Sequence, residues 1–301
     1  MDRVLISGGS GLVGKALCEK LKTKGYDVGI LSRSKNTEVE FKTFLWNPDN
    51  NEIETEAIAT ADYIIHLAGA SIADKRWTAQ RRKIIVDSRV RSANFIFNQI
   101  QNQNKQLKAY ISASAVGYYG AINSGKIFTE NDAAACDFLG DTCFKWERSA
   151  SQFKEIGIRT TIMRTGLVLS KTGGALQKML IPAKMGFASA IGNGKQYIPW
   201  IHIDDLCEFY IKAIEDNQVE GKFNVVAPEF QTNQNFTQVL TKVLDKPFWF
   251  PKVPAFVLKI IMGEMSDLLL KGSRVSADKI ISTGFSFRFP KLEDAIKDLV
   301  G

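Results

Sequence analysis

A doubly wound α/β fold, in which helices flank a parallel sheet, is predicted by three observations. Short apolar runs suited to buried strands alternate with amphipathic helical stretches through the first half of the chain. The first run, Val4-Leu5-Ile6, leads into a glycine-rich turn, Ser7-Gly8-Gly9-Ser10-Gly11-Leu12-Val13-Gly14, which opens a helical pattern. The 301 residues suffice for one large α/β domain carrying a smaller lobe.

Val4–Ser7 reads as the first strand. Leu12, Val13, Ala16, Leu17 and Leu21 share one face of the following helix, and Gly25 ends it. Val28–Leu31 is a second strand, closing on Ser32-Arg33-Ser34. Tyr63–Leu67 is the continuous apolar run expected of a strand buried on both faces. A long helix follows over Thr78–Gln101, then a strand at Ala109–Ser114, a helix at Phe144–Ile156 and a strand at Thr160–Leu169. Repeated units of this kind imply right-handed crossovers.

After Ser170 the pattern loosens around Gly173-Gly174, Gly186 and Gly192-Asn193-Gly194. Trp200–Ile203 is a short strand, Asp205–Glu215 a helix with Asp204 as its N-cap, and Phe223–Val226 a strand. From Thr232 to Leu299 the chain is mostly helical, with a Pro-rich turn at Lys246–Pro254. The expected division assigns residues 1–169 and about 200–227 to the sheet domain. About 170–199 and 228–301 form a smaller, mostly helical lobe on the substrate side.

The composition, 45% hydrophobic and 24% charged, is that of a soluble globular protein. A net charge of +7 and a pI near 9.1 favour anionic partners, and nucleotides suffice to account for that. The basic residues are scattered and no recognition motif for nucleic acid appears. Cys18, Cys136, Cys143 and Cys207 form no CxxC pair, and Cys18 and Cys207 read as buried thiols. The first apolar run is too short for a secretory leader, and no segment approaches a membrane span. A cytoplasmic protein with a small-molecule substrate, and no nucleic-acid or membrane partner, is expected.

Gly8, Gly11 and Gly14 stand in GxxGxxG spacing between a strand and a helix. There a backbone approaches a pyrophosphate closely, and the N–H groups at Leu12 and Val13 and the helix dipole face the anion, with Ser10 in the turn. An acidic residue at the end of the second strand would favour NAD(H). This chain has Arg33 instead, with Ser32, Ser34 and Lys35 beside it. A guanidinium pairs bidentately with a 2′-phosphate, so NADP(H) is preferred over NAD(H). Leu67-Ala68-Gly69 supplies small residues where backbone would lie beside the cofactor; the same residues also suit a tight exit turn.

These residues resemble the extended short-chain dehydrogenase/reductases, the group that contains nucleotide-sugar epimerases and dehydratases. The start is similar to their TGxxGxxG, with Ser7 in the Thr position. Ile65-His66-Leu67-Ala68-Gly69, Ser112-Ala113-Ser114 with Tyr119-Gly120, and Trp200-Ile201-His202-Ile203-Asp204-Asp205 resemble three further segments of the group. A narrower, atypical subgroup of epimerase family proteins is matched by Arg76-Trp77, Ser88-Arg89-Val90, Gly117-Tyr118-Tyr119-Gly120, Trp146-Glu147 and Arg164-Thr165-Gly166-Leu167-Val168-Leu169. Its C-terminal, DUF1731-like domain is matched, within about 248–296, by Gly263-Glu264-Met265, Leu269–Val275 and Gly284–Pro290. The resemblance implies a Rossmann-type NADP-binding fold. It places Gly8–Gly14 at the pyrophosphate, Ser32 and Arg33 at the 2′-phosphate, and Leu67 and Ala68 along the cofactor. Arg89 reaches in from the following helix, or pairs with a carboxylate on the helix surface. Leu167 and Val168 approach the nicotinamide, or pack in the core. Pairing of two copies through a helical bundle is implied by family analogy.

The larger group uses a Tyr with a Lys four residues later, a spacing that lowers the phenol pKa across one helical turn. Anchoring on Trp146-Glu147 places Leu139 and Cys143 at those positions, and no Tyr in the chain has a Lys four residues on. The candidates left for proton transfer are Ser114 and Tyr118, with Ser112, Tyr119 and Cys143 behind them; each also has an ordinary packing role. His202, Asp204 and Asp205 suggest a structural turn rather than a metal site. Arg76, Arg81, Arg82 and Lys83 meet an anionic substrate or form a solvated helix face. The expected function is NADP-dependent oxidation–reduction or epimerisation of a small hydroxyl- or carbonyl-bearing molecule, a nucleotide sugar being one candidate. The alternative is a non-catalytic NADPH-binding sensor.

Overall fold

A computed structural model describes residues 1–34, 40–249 and 251–301. Lys35, expected beside Arg33, therefore lies outside the described residues, as does Phe250 in the Pro-rich turn. The first strand, β1 (Arg3–Ser7), has Val4, Leu5 and Ile6 fully buried and sits at the centre of the sheet. The glycine turn leads into α1 (Leu12–Thr23), whose buried face is Gly14, Leu17, Cys18 and Leu21. Then come β2 (Asp27–Ser32), β3 (Lys42–Asn47), β4 (Glu52–Ile53) and α2 (Thr55–Ala59). Sequence reasoning left β3 without an element: it alternates, burying Phe44 and Trp46 between half-exposed neighbours.

Next are β5 (Tyr63–His66), α3 (Ala79–Asn102), β6 (Ala109–Ala115), the two-residue β7 (Ile127–Phe128) and α4 (Phe138–Glu155). Thr78 caps α3 by accepting the Arg81 N–H at 3.1 Å. Asp137 caps α4 by accepting the Gly140 N–H at 2.8 Å, so this helix starts six residues before the expected Phe144. The run expected as one strand at 160–169 is two strands. In β8 (Thr160–Thr165) it belongs to the main sheet, and in β9 (Leu167–Leu169) to a separate pair. The break is at Gly166, whose N–H turns to Val225 O while the Leu167 N–H turns to Pro199 O.

The chain continues through α5 (Ala175–Lys184), β10 (Trp200–His202), α6 (Ile203–Glu215), β11 (Gly221–Val225) and α7 (Asn233–Val243). It ends with α8 (Ala255–Met262), α9 (Asp267–Leu270), β12 (Arg274–Val275), α10 (Asp278–Ser282) and α11 (Leu292–Val300). His202, not Asp204, caps α6: its Nδ1 accepts the Asp204 N–H at 3.0 Å, which leaves Asp204 in the first turn where its charge suits the dipole.

The main sheet runs β11-β8-β6-β5-β1-β2-β3-β4, parallel except for the β3–β4 edge. Small parallel pairs join β9 to β10 and β7 to β12. One core lies between the sheet and α1 and α6, a second between the sheet and α3 and α4. A third gathers Trp200, Phe236, Leu292 and Ile296 with the α5 residues Leu176 and Leu180. Among the described residues, no helix is long and apolar enough to cross a membrane.

Candidate active site

The strand order reverses at β1, which has β2 on one side and β5 on the other, so a crevice opens beyond their carboxyl ends. The glycine turn crosses that crevice. Gly8 has φ +76°, and a Cβ on it would lie 3.0 Å from the Ala68 nitrogen and the Leu67 carbonyl carbon. The two predicted cofactor segments are thus pressed together, backbone on backbone. Gly11 precedes α1 as its N-cap without a side-chain bond, and the first turn of α1 carries no acidic residue. The N–H groups of Leu12, Val13 and Gly14 therefore stand at an unneutralised positive helix end. Ser10 is exposed in the same turn. Gly173 and Gly174 pack on the Leu12 side chain, so α5 departs from the cradle itself.

Ser32 ends β2, and its hydroxyl accepts the Ser34 N–H at 3.3 Å. Arg33 is exposed and forms no ion pair among the described residues. Arg89 is held by its own backbone surroundings. Its Nη1 donates to Ala70 O at 3.0 Å and Ile85 O at 2.9 Å, and its guanidinium lies 5.0 Å from the Trp146 ring centre, beside Gly69. Among the described residues it pairs with no carboxylate. Leu167 and Val168 are half-buried in β9; Val168 packs on the first core and Leu167 on the third.

A buried relay that sequence reasoning missed braces the crevice. Ser92 Oγ donates to Ser88 O at 2.7 Å, so it accepts from His66 Nε2 at 3.0 Å. His66 Nδ1 is then the acceptor for the Ser7 hydroxyl at 2.6 Å, and Ser7 Oγ receives the Ala68 N–H at 3.3 Å. Burial pushes the His66 imidazole down to about 4. An unfolded chain binds that proton near pH 6.5. Between those values the unfolded state holds a proton the folded state refuses. The stability contributed by neutral His66 is therefore complete above about pH 6.5 and falls as pH drops toward 4, by about 3 kcal/mol in all. Denaturant midpoints across this window are expected to fall more steeply for the wild type than for His66→Asn; equal slopes would contradict the assignment.

Behind β6 lies a second network. Glu147 on α4 takes Arg164 of β8 through two bonds, Nε to Oε1 at 2.8 Å and Nη2 to Oε2 at 2.9 Å. Ser114 donates its only proton to Glu147 Oε1 at 2.8 Å. That bond commits the Ser114 proton to Glu147 in this structure. Tyr119 O–H donates to Asn224 Oδ1 at 2.6 Å and accepts from Arg164 Nη1 at 2.8 Å. Tyr118 differs. Its ring stacks under the Arg164 guanidinium at 3.5 Å, but its hydroxyl has no hydrogen-bond partner among the described residues. At the positions matching the group's Tyr and Lys, Leu139 and Cys143 are buried, and burial pushes the Cys143 thiol up to about 12, where it is inert as an acid.

In the basic cluster Arg76 and Lys83 are exposed and Arg81 and Arg82 half-buried, and each has a partner within the protein. Arg76 donates to the carbonyls of Ile260 at 2.5 Å and Ile261 at 2.7 Å, at the end of α8. Arg82 pairs with Glu264 and lies 5.0 Å over the Phe138 ring; Arg81 donates to Ser71 O; Lys83 pairs with Asp87. Asp205 accepts the N–H groups of Arg288 and Phe289, fastening the tail to α6. Among the described residues, no three His, Cys, Asp or Glu side chains form a metal-binding group.

This cradle on this sheet defines an extended short-chain dehydrogenase/reductase. The family model described as NAD dependent epimerase/dehydratase matches residues 4–226, and a domain of unknown function (DUF1731) matches 253–299. An epimerase family protein of Staphylococcus aureus (strain NCTC 8325 / PS 47) is 33% identical over 302 residues, covering 100% of this chain and 99% of that protein. The human epimerase family protein SDR39U1, solved with NADPH, is 30% identical with a TM-score of 0.87, covering 99% of this chain and 98% of that one. UDP-glucuronic acid 4-epimerase from Bacillus cereus, solved with UDP-glucuronic acid and NAD, shares the fold at 16% identity and TM-score 0.79, covering 98% and 96%. The chain belongs to the NAD dependent epimerase/dehydratase family.

Proposed function

We propose that the protein is a cytoplasmic oxidoreductase or epimerase-like enzyme that binds NADP(H) in preference to NAD(H) and acts on a small hydroxyl- or carbonyl-bearing molecule. The observation that carries this reading is the backbone contact of Gly8 with Leu67 and Ala68 at the switch point. It makes room for a pyrophosphate over the first turn of α1. Arg33 at the end of β2 offers a guanidinium without an ion pair among the described residues, where a 2′-phosphate would lie, and the human relative was solved with NADPH.

When bound, the cofactor supplies the hydride chemistry. The chain supplies position and a proton. Gly8, Gly11 and Gly14 keep backbone N–H groups close to the diphosphate, with Ser10, Leu12 and Val13 in the same turn. Arg89, fixed against Ala70 and Trp146, borders the cleft beside Gly69. Leu167 and Val168 would lie toward the nicotinamide end. The Tyr118 hydroxyl, without a hydrogen-bond partner among the described residues, is the group available to give or take a proton at the substrate oxygen.

Arg33→Ala is expected to weaken NADPH by roughly 10- to 100-fold, in line with hydrogen bonds to a charged group, and to leave NADH affinity unchanged. Titration of both cofactors checks this, and equal losses would overturn the 2′-phosphate assignment. The NADPH-loaded protein is then offered a carbonyl panel while the nicotinamide absorbance is followed. Binding without turnover or epimerisation of any member would overturn the enzymatic half of the reading.

A further inference from the structure

Arg274 stands apart from the other arginines that are withdrawn from solvent. Among the described residues, each other buried or half-buried arginine is bonded to an oxygen: Arg3, Arg81, Arg82, Arg89, Arg159 and Arg164. Arg274, half-buried in β12, has no hydrogen bond or ion pair among those residues, and its Nε is buried. A guanidinium so placed is costly until a partner arrives. Two aromatic rings hold it instead. It lies 4.1 Å from the Phe230 ring centre and 5.6 Å from that of Tyr197. Stacking of this kind leaves the rim of N–H donors free, and that rim pairs with a planar carboxylate. Arg274, Phe230 and Tyr197 line one cleft together with Glu229, whose carboxylate accepts the Leu292 N–H at 2.7 Å. Among the lining residues Arg274 is the one cation and Glu229 the one anion.

The cleft stands at the carboxyl edge of the sheet, where ligands of such folds bind. Pro199, in its wall, accepts the Leu167 N–H at 2.7 Å, and Ala227, just after β11, donates its N–H to Trp200 O at 2.6 Å. The Ser273 hydroxyl donates to Gly120 O at 3.0 Å, in the turn after β6, and Val275 joins Tyr118 and Tyr119 in one buried cluster. The wall of the cleft is thus tied both to β9, expected at the nicotinamide, and to the turn that carries Tyr118. Building on the proposed NADP-dependent activity, we infer that its substrate carries a carboxylate, which Arg274 anchors in this cleft. One positive charge matches one negative charge. Glu229 in the same wall repels a phosphate or diphosphate, which carries more.

The test measures binding of 2-oxopentanoate, 4-oxopentanoate and 5-oxohexanoate to the full chain by calorimetry, with and without NADPH. Each acid is paired with its methyl ester, and dihydroxyacetone phosphate and UDP-glucose are run beside them. At least one acid is expected to bind about 10-fold or more tighter than its ester, in line with hydrogen bonds to a charged group. Arg274→Gln is expected to bring acid and ester within about threefold of each other while NADPH affinity is unchanged. A guanidinium that merely packs on Phe230 and Tyr197 would leave the wild type without any preference for acid over ester, so the wild-type comparison decides even if the variant folds poorly. No binding of any acid, equal binding of acid and ester, or tighter binding of dihydroxyacetone phosphate or UDP-glucose would overturn the inference, as would an acid preference that survives in folded Arg274→Gln. Loss of the proposed function reads separately: NADPH fails to bind while the preference for acid over ester persists.

Discussion

Glu147→Ala is expected to destabilise the fold by about 3–5 kcal/mol, the cost of leaving one partner of a buried ion pair alone. The Arg164 side chain is 0% exposed and the Glu147 side chain 3%. Burial opposes the Arg164 charge, yet the two Glu147 bonds hold the guanidinium protonated more firmly than usual. Removing the carboxylate also strips Ser114 of its acceptor and leaves Arg164 with Tyr119 and the Glu130 carbonyl. Lys222 Nζ, 3.6 Å from Glu147 Oε2, loses its partner as well. Denaturant unfolding reads the loss directly. A drop below about 1 kcal/mol would mean that water or relaxation replaces the pair. Ser114→Ala removes one hydrogen bond to the same carboxylate and is expected to be a milder version of the same lesion.

Gly14→Ala is expected to weaken NADPH by about 100-fold or more, equivalent to about 2.7 kcal/mol. The added Cβ would stand 2.6 Å from the Gly9 Cα and closer still to the Gly8 carbonyl oxygen. Both neighbours are backbone, so the turn itself must move, and with it the N–H groups that would face the pyrophosphate. Cofactor titration on a variant with unchanged circular dichroism checks this. An affinity within threefold of wild type would show that the turn is not where the diphosphate binds.

The parts of the fold legible from the chain were those whose physics is local. Val4–Ile6 and Tyr63–Ile65 are buried on both faces, and continuous apolar runs announce such strands. Lys42–Asn47 was illegible because it stands next to the sheet edge and buries only alternate residues. The split at Gly166 depends on hydrogen bonds to Pro199 and Val225, which no local pattern encodes. The start of α4 was hidden by Gly140 and Asp141, although Asp137 three residues before a glycine N–H was a readable cap. The glycine turn and Arg33 stood out for the same local reason. The Glu147–Arg164 pair and the Ser7–His66–Ser92 relay did not, because each joins elements brought together only by the sheet. In hindsight, His66 closing an apolar run was a signal for a buried, partnered imidazole.

Arg76 grips α8 through main-chain oxygens, not through the side chains of Ile260 and Ile261. Those side chains bear almost no packing duty, so they are free to drift over generations without loosening the helix from its anchor. A lineage can therefore exchange the surface of α8 one residue at a time while its path stays put. Diversification within this architecture is expected to concentrate on the outward positions of that helix, with the arginine that holds it left alone.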